Sequence, residues 1–405
     1  MLESYRGISP EAKYLIYQSI LPSVAYGMFF TDISYFLTSI RHLSYGLMGI
    51  VITTMGIATF AASIPLGVVA DRYGRKIMLI LGNVIAGLVL VVFAFTTDPV
   101  LLVVVAVFEG VSEAALSASS GALLAEKAEA AKRNSVFSLY GFAQSLAFGI
   151  GGLAVPAVVI FQYFGFSNNM SHSLLYVTLA AFSLGSTVML IKVTETRARR
   201  TREIEADDAA KLSRAQSRRT ISKYVLTGAI IAVGAGMIVP LMTAWLKARY
   251  GIPDTVSGPI LGLVSIIIAL ATLAGPALAR KLGLVRAIVV TQALSTVFMF
   301  ATPLSSSYVV ASSVYTVRAF LMNMASPLSQ SMIMGLVKED ERGMASGVNT
   351  ALWRLPNALS SYAGAYLISI GLLAAPFFLA SLLYILSISL FWIFFRKTKM
   401  PEEAS

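Results

Sequence analysis

Long apolar runs, each closed by a short polar break, recur along the whole chain. Twelve can be drawn, over about 14–40, 45–69, 77–96, 99–125, 134–161, 171–193, 223–249, 255–279, 284–303, 306–337, 343–370 and 372–396. Most supply the ~20 residues that cross the hydrocarbon of a bilayer. Gly and Pro fall inside several, as membrane helices tolerate. The pattern predicts an all-α membrane protein of twelve transmembrane helices, with the lipid bilayer as its first partner. Composition agrees: 57% of the 405 residues are hydrophobic, 13% are charged, and mean hydropathy is +0.77, where a soluble domain carries roughly 25% charge.

The net charge of +11 is explained by where the basic residues sit, and no nucleic-acid partner is expected. Arg72, Arg75 and Lys76 share one polar break, and Lys127, Lys132 and Arg133 another. Ten more lie between Lys192 and Lys223, followed by Arg280, Lys281 and Arg286, then Lys338 and Arg342, then Arg396, Lys397 and Lys399. With twelve spans all of these fall on one side. The other side keeps few, such as Arg41, Lys247 and Arg249. The excess of Lys and Arg marks the cytoplasmic face, so both termini are expected in the cytoplasm of a cell whose plasma membrane holds the chain. The opening Met1-Leu2-Glu3-Ser4-Tyr5-Arg6 lacks a cleavable leader pattern. Cysteine is absent, which rules out disulfides and a thiolate metal site. No metal or cofactor is expected.

The chain repeats itself at an offset of 209: Gly27-Met28 matches Gly236-Met237, Gly49 matches Gly258, Gly74 matches Gly283, and Arg133 matches Arg342. A fixed offset across several spans predicts two six-helix halves related by an axis along the membrane normal. The halves are read as residues 1–193 and 223–405. Residues 194–222, polar and of mixed charge, read as a cytoplasmic linker, partly helical, with no folded domain of its own.

The densest charge in the first half is Gly67-Val-Val-Ala-Asp71-Arg72-Tyr-Gly74-Arg75-Lys76, between the second and third spans. Such charge cannot lie in hydrocarbon and must form a short loop at the membrane face. The pattern G-x-x-x-D-R-x-G-R-K, at this place in the order of spans, resembles the loop between helices 2 and 3 of major facilitator superfamily (MFS) transporters. The second copy has lost it: Arg280 stands where Asp71 would be. The resemblance implies the MFS fold of two pseudo-symmetric six-helix halves, a cavity lined by spans 1, 4, 7 and 10, and alternating access by rocking of the halves. It also implies that Asp71, Arg72 and Arg75 latch the cytoplasmic side. Two family patterns are missing. The span-4 arginine of R-x-x-x-G is replaced by Ala106 or Glu109, depending on the alignment. The drug-antiporter G-P-x-x-G-G is reduced to Ala147-Phe-Gly149-Ile-Gly151-Gly152.

Ionisable residues inside spans are expensive and mark function by default. Asp32 lies in span 1, Glu109 and Glu113 in span 4, Arg318 in span 10 and Arg354 in span 11. Glu109 and Glu113 are four apart and share a helix face. Two carboxylates so close in low dielectric are not both ionised, and one becomes a candidate proton carrier. The alternative is that one simply pairs with an arginine. Arg318 is the repeat equivalent of Glu109, which offers either a bridge that forms and breaks with access state or a static ion pair. Arg354, beside Trp353 and Pro356, suits an anionic substrate group or a carbonyl freed by the proline. Asp32, near Tyr26 and Tyr35, suits a proton or a cation.

The leading expectation is a proton-coupled exporter of small amphipathic or cationic molecules, acting as a monomer. An organic-anion symporter or exchanger using Arg318 and Arg354 is the alternative, and a non-transporting receptor or scaffold a third. Nothing points to an enzyme: the two histidines, His42 and His172, are expected near the external surface, and no nucleophile motif or phosphate loop occurs.

Overall fold

A computed structural model describes residues 8–128, 133–194, 208–336 and 342–396. Every element among them is helical and none is a strand. The first half holds α1 (Pro10–Tyr35), α2 (Tyr45–Tyr73), α3 (Arg75–Phe95), α4 (Pro99–Lys127), α5 (Arg133–Leu153), the short α6 (Val158–Tyr163) and α7 (Asn168–Ser186). After it in the chain come α8 (Asp208–Gly236), α9 (Met242–Tyr250), α10 (Asp254–Leu282), α11 (Leu284–Ala301), α12 (Tyr308–Leu336), α13 (Arg342–Ser369) and α14 (Ala375–Phe395).

Each apolar run of the sequence falls on one helix or on a broken pair. Nine helices among the described residues are long and apolar enough to cross a membrane, and α5 with α6, bent by 43°, makes a tenth. Proline explains both breaks, because it gives no N–H and cannot continue a helix freely. Pro156 sits between α5 and α6, and Pro240 between α8 and α9. The helices α12 and α13, of 29 and 28 residues, carry the remaining two runs. Of the linker, residues 195–207 lie outside the described residues, and α8 already begins at Asp208.

Helix starts follow from short polar residues before an apolar run. Ser9, Ser44, Asp98 and Ser167 each accept a hydrogen bond from a backbone N–H of the first turn, which satisfies a donor left free at a helix start. Between α2 and α3 the chain turns at Gly74, with φ 122°, and between α10 and α11 at its repeat equivalent Gly283, with φ 79°. Only glycine adopts such a φ without strain, so this part of the repeat is a shared backbone geometry.

The chain divides into two compact units: Met1–Arg197 with Pro240–Ile266, and Ala198–Val239 with Ile267–Ser405. In the first, α1 packs on α5 and α7, α3 on α4 and α7, and α2 on α4. In the second, α8 packs on α13 and α14, and α11 on α12 and α14. Four pairings correspond helix for helix: α1 with α5 and α7 matches α8 with α13 and α14, and α3 with α4 and α7 matches α11 with α12 and α14. Each unit has its own apolar core, around Leu15, Leu79, Leu124 and Leu190 in one and around Ile288, Leu328, Phe391 and Phe395 in the other.

Candidate functional site

Asp32 lies on the buried face of α1, with 1% of its surface exposed. Its Oδ2 accepts a hydrogen bond from the Tyr176 hydroxyl of α7 at 3.2 Å, while Oδ1 has no partner. The Tyr176 ring is held by stacking on Phe36 at 4.5 Å and by the edge of Phe29. One turn earlier on α7, His172 is also 1% exposed. Its Nδ1 lies 2.9 Å from the Asn168 carbonyl and its Nε2 lies 2.7 Å from Oδ2 of Asp254. A carbonyl can only accept, so Nδ1 carries the hydrogen, and Nε2 is the nitrogen turned to Asp254. Asp254 opens α10, where unpaired N–H groups favour a carboxylate. One ligand atom from each of Asp32, His172 and Asp254 lies within 4.8 Å of the others. The same seam is joined by Ser34 of α1 and Thr243 of α9, repeat equivalents whose hydroxyls share a short hydrogen bond.

Glu109 of α4 is 6% exposed and its Oε2 has no hydrogen-bond partner. Glu113, one turn on, is half-buried and accepts a hydrogen bond from Thr59 of α2 at 3.2 Å. In the same unit, Tyr26 and Phe30 of α1 and Phe148 of α5 form a half-buried aromatic group, with ring centroids 5.9–6.0 Å apart. In the other unit Arg318 of α12 is 4% exposed. It donates from Nη2 to the Tyr384 hydroxyl of α14, and its guanidinium lies over the rings of Tyr384 and Tyr315 at 5.5 and 5.7 Å. Its Nε has no partner. Arg354 is half-buried on α13, a helix that runs unbroken through Pro356.

The loop signature is partly resolved into roles. Arg75 lies 3.7 Å from Glu126 and donates to the Ala122 carbonyl, and Lys76 donates to the Val193 carbonyl. Lys127 joins Glu126 to Glu11, each at 3.2 Å, and Glu11 accepts from the backbone of Thr194. One network thus ties the start of α1, the start of α3, the end of α4 and the chain after α7. Arg72 lies over the Tyr73 ring, and Gly67 is half-buried on α2. The side chain of Asp71 lies outside the described residues, so the latch assigned to it is not described.

The sequence profile of the Major Facilitator Superfamily matches residues 19–353 and, again, 224–405. The chain belongs to the Major Facilitator Superfamily. It is 21% identical to an uncharacterized MFS-type transporter of Methanocaldococcus jannaschii over 314 residues, which are 75% of this chain and 77% of that one. Among solved structures, an inward-facing, occupied bacterial homolog of the human lysosomal transporter Spinster superposes with TM-score 0.79 at 13% identity, covering 96% of this chain and 98% of that one. A nucleoside transporter, as a point mutant, gives TM-score 0.75 at 14% identity, with 95% and 99% covered. A D-xylose–proton symporter gives 0.73 at 16% identity, with 94% and 97% covered. The chain is therefore an MFS secondary transporter with the fold expected from its hydropathy and repeat.

Within this transporter the sequence reading missed the partners. Asp254 and Tyr176 were not singled out, nor was the burial of His172 against Asp254. Tyr384 was not singled out for Arg318. His172 and Asp254 are 82 residues apart in the chain, and nothing local in sequence links them. The one available signal was that Asp254 stands alone at the head of an apolar run.

Proposed function

We propose that this MFS transporter is a proton-coupled exporter of small amphipathic or cationic molecules, working as a monomer in the plasma membrane with both termini cytoplasmic, and that Glu109 carries the proton. The observation that carries the reading is Glu109 itself, a carboxyl group buried in a membrane helix with one oxygen lacking any donor. An ionised carboxylate left this way costs several kcal/mol, while the neutral acid does not. Glu113, four residues on, adds like-charge repulsion and makes double ionisation worse. A group that must gain a proton to rest and lose it to reset is what coupling requires. The half-buried rings of Tyr26, Phe30 and Phe148 offer faces to an apolar or cationic substrate. The D-xylose–proton symporter among the structural neighbours is compatible with coupling on this fold. Purified protein is screened by thermal shift against lipophilic cations, organic acids, nucleosides and pentoses. Stabilisation by cations supports this reading, and stabilisation by anions alone overturns it.

A second reading, an organic-anion carrier using Arg318 and Arg354, is favoured by one observation. Arg318 is buried between two tyrosines with its Nε lacking a partner, and arginine is the usual ligand for carboxylate and phosphate.

A further inference from the structure

We propose that Asp32, His172 and Asp254 bind a divalent metal ion of the zinc–manganese class. The site is built from three helices, α1, α7 and α10, and all three side chains are buried, with exposures of 1%, 1% and 3%. Their ligand atoms already converge within 4.8 Å.

Three independent features point to an ion. The first is orientation. A metal-binding histidine characteristically donates its other ring N–H to a carbonyl or carboxylate, and His172 Nδ1 does so to the Asn168 carbonyl. Nε2 is thereby turned to Asp254, where an ion would take the place of the proton that now bridges the two groups. The second is an orphaned acceptor: Oδ1 of Asp32 is buried without any partner, while Oδ2 is steadied by Tyr176. Such outer contacts orient ligating carboxylates as well. The third is charge. Once an ion displaces the proton between Nε2 and Asp254, two carboxylates and a neutral imidazole carry two negative charges, which one divalent ion balances.

The donor set selects the ion. One imidazole nitrogen and two carboxylates, without sulfur, suit zinc or manganese, whereas calcium asks for six to eight oxygens. Three protein ligands leave a coordination position for water, the arrangement of an exchangeable site rather than a closed structural one. Ions of this class sit about 2.0–2.2 Å from such donors, which places neighbouring donor atoms roughly 3.3 Å apart. The 2.7 Å contact between His172 and Asp254 then opens by about 0.6 Å, within the reach of a side-chain rotation. A bound ion would fasten the first turn of α10 to α1 and α7. The site stands apart from Glu109 and does not depend on proton coupling there.

Tag-free protein, stripped with EDTA, is titrated with zinc and with manganese, each alone, by calorimetry and thermal unfolding. One equivalent should bind and raise Tm, and magnesium at the same concentration should not. His172→Gln and Asp254→Asn should each weaken binding by well over tenfold, and Tyr176→Phe by roughly tenfold. Failure of both ions to bind the wild type overturns the proposal, as does unchanged affinity in both ligand variants. Should those variants not fold, X-ray absorption of the zinc-bound wild type decides. A shell of one imidazole with oxygen donors supports the site, and a shell without imidazole overturns it.

Discussion

The Phe148 carbonyl stands where a side chain on Gly27 would begin: a Cβ there would lie 2.1 Å from the oxygen. At the repeat-equivalent place, a Cβ on Gly236 would lie 2.0 Å from the Asn357 carbonyl. Both members of each pair are displaced by the same offset of 209 that joins Ser34 to Thr243. The two glycines therefore set how closely α1 meets α5 and α8 meets α13, and the repeat is a packing rule carried out twice.

Gly27→Ala and Gly236→Ala should each force a helix apart and destabilise by about 1–3 kcal/mol or more, the usual result of overpacking. Thermal unfolding in detergent checks this. Gly67→Ala is the control, since a Cβ there meets nothing within 4 Å, and its Tm should stay within a degree or two of wild type, consistent with about 0.5 kcal/mol or less. Equal losses at all three positions would remove the close approach as the cause.

Helices and repeat were legible because hydrocarbon imposes them. A span must be apolar and about 20 residues long, and the glycines at 27, 74, 236 and 283 recur wherever backbone geometry recurs. The charged residues in spans were legible one at a time, since each is an exception in an apolar run. Their partners were not. Asp32 meets His172 and Asp254 only because α1, α7 and α10 converge, and no local spacing encodes that. Tyr384 looks like one more aromatic in α14 until Arg318 is placed against it. The network through Glu11, Glu126 and Lys127 needed the helix ends in space.

Asp71 belongs to the last turn of α2, in the loop pattern whose resemblance implies a latch on the cytoplasmic side. Asp71→Asn should leave Tm unchanged or slightly raised and cut transport severely in proteoliposomes. Wild-type transport in this variant would remove the latch.

Tyr384→Phe should strand the Nη2 donor of buried Arg318 and cost about 1–3 kcal/mol, read as a lower Tm. Anion affinity separates structure from substrate binding. If Arg318 is an anion ligand, Arg318→Gln abolishes stabilisation by organic acids while Tyr384→Phe keeps it. If organic acids bind neither the wild type nor Tyr384→Phe, the arginine is a packing group and the anion reading falls.

The central claim, proton coupling through Glu109, is tested most directly by proton flux. Proteoliposomes enclosing pyranine are given, in turn, tetraphenylphosphonium, a nucleoside, a pentose and an organic acid, with isotopic uptake measured in parallel. In the wild type the compound that moves should change the lumenal pH in step with its own flux. Glu109→Gln should abolish that proton movement while the compound still stabilises the purified protein, and Glu113→Gln should weaken it. Substrate flux with no change in lumenal pH, or full proton flux in Glu109→Gln, would contradict the account.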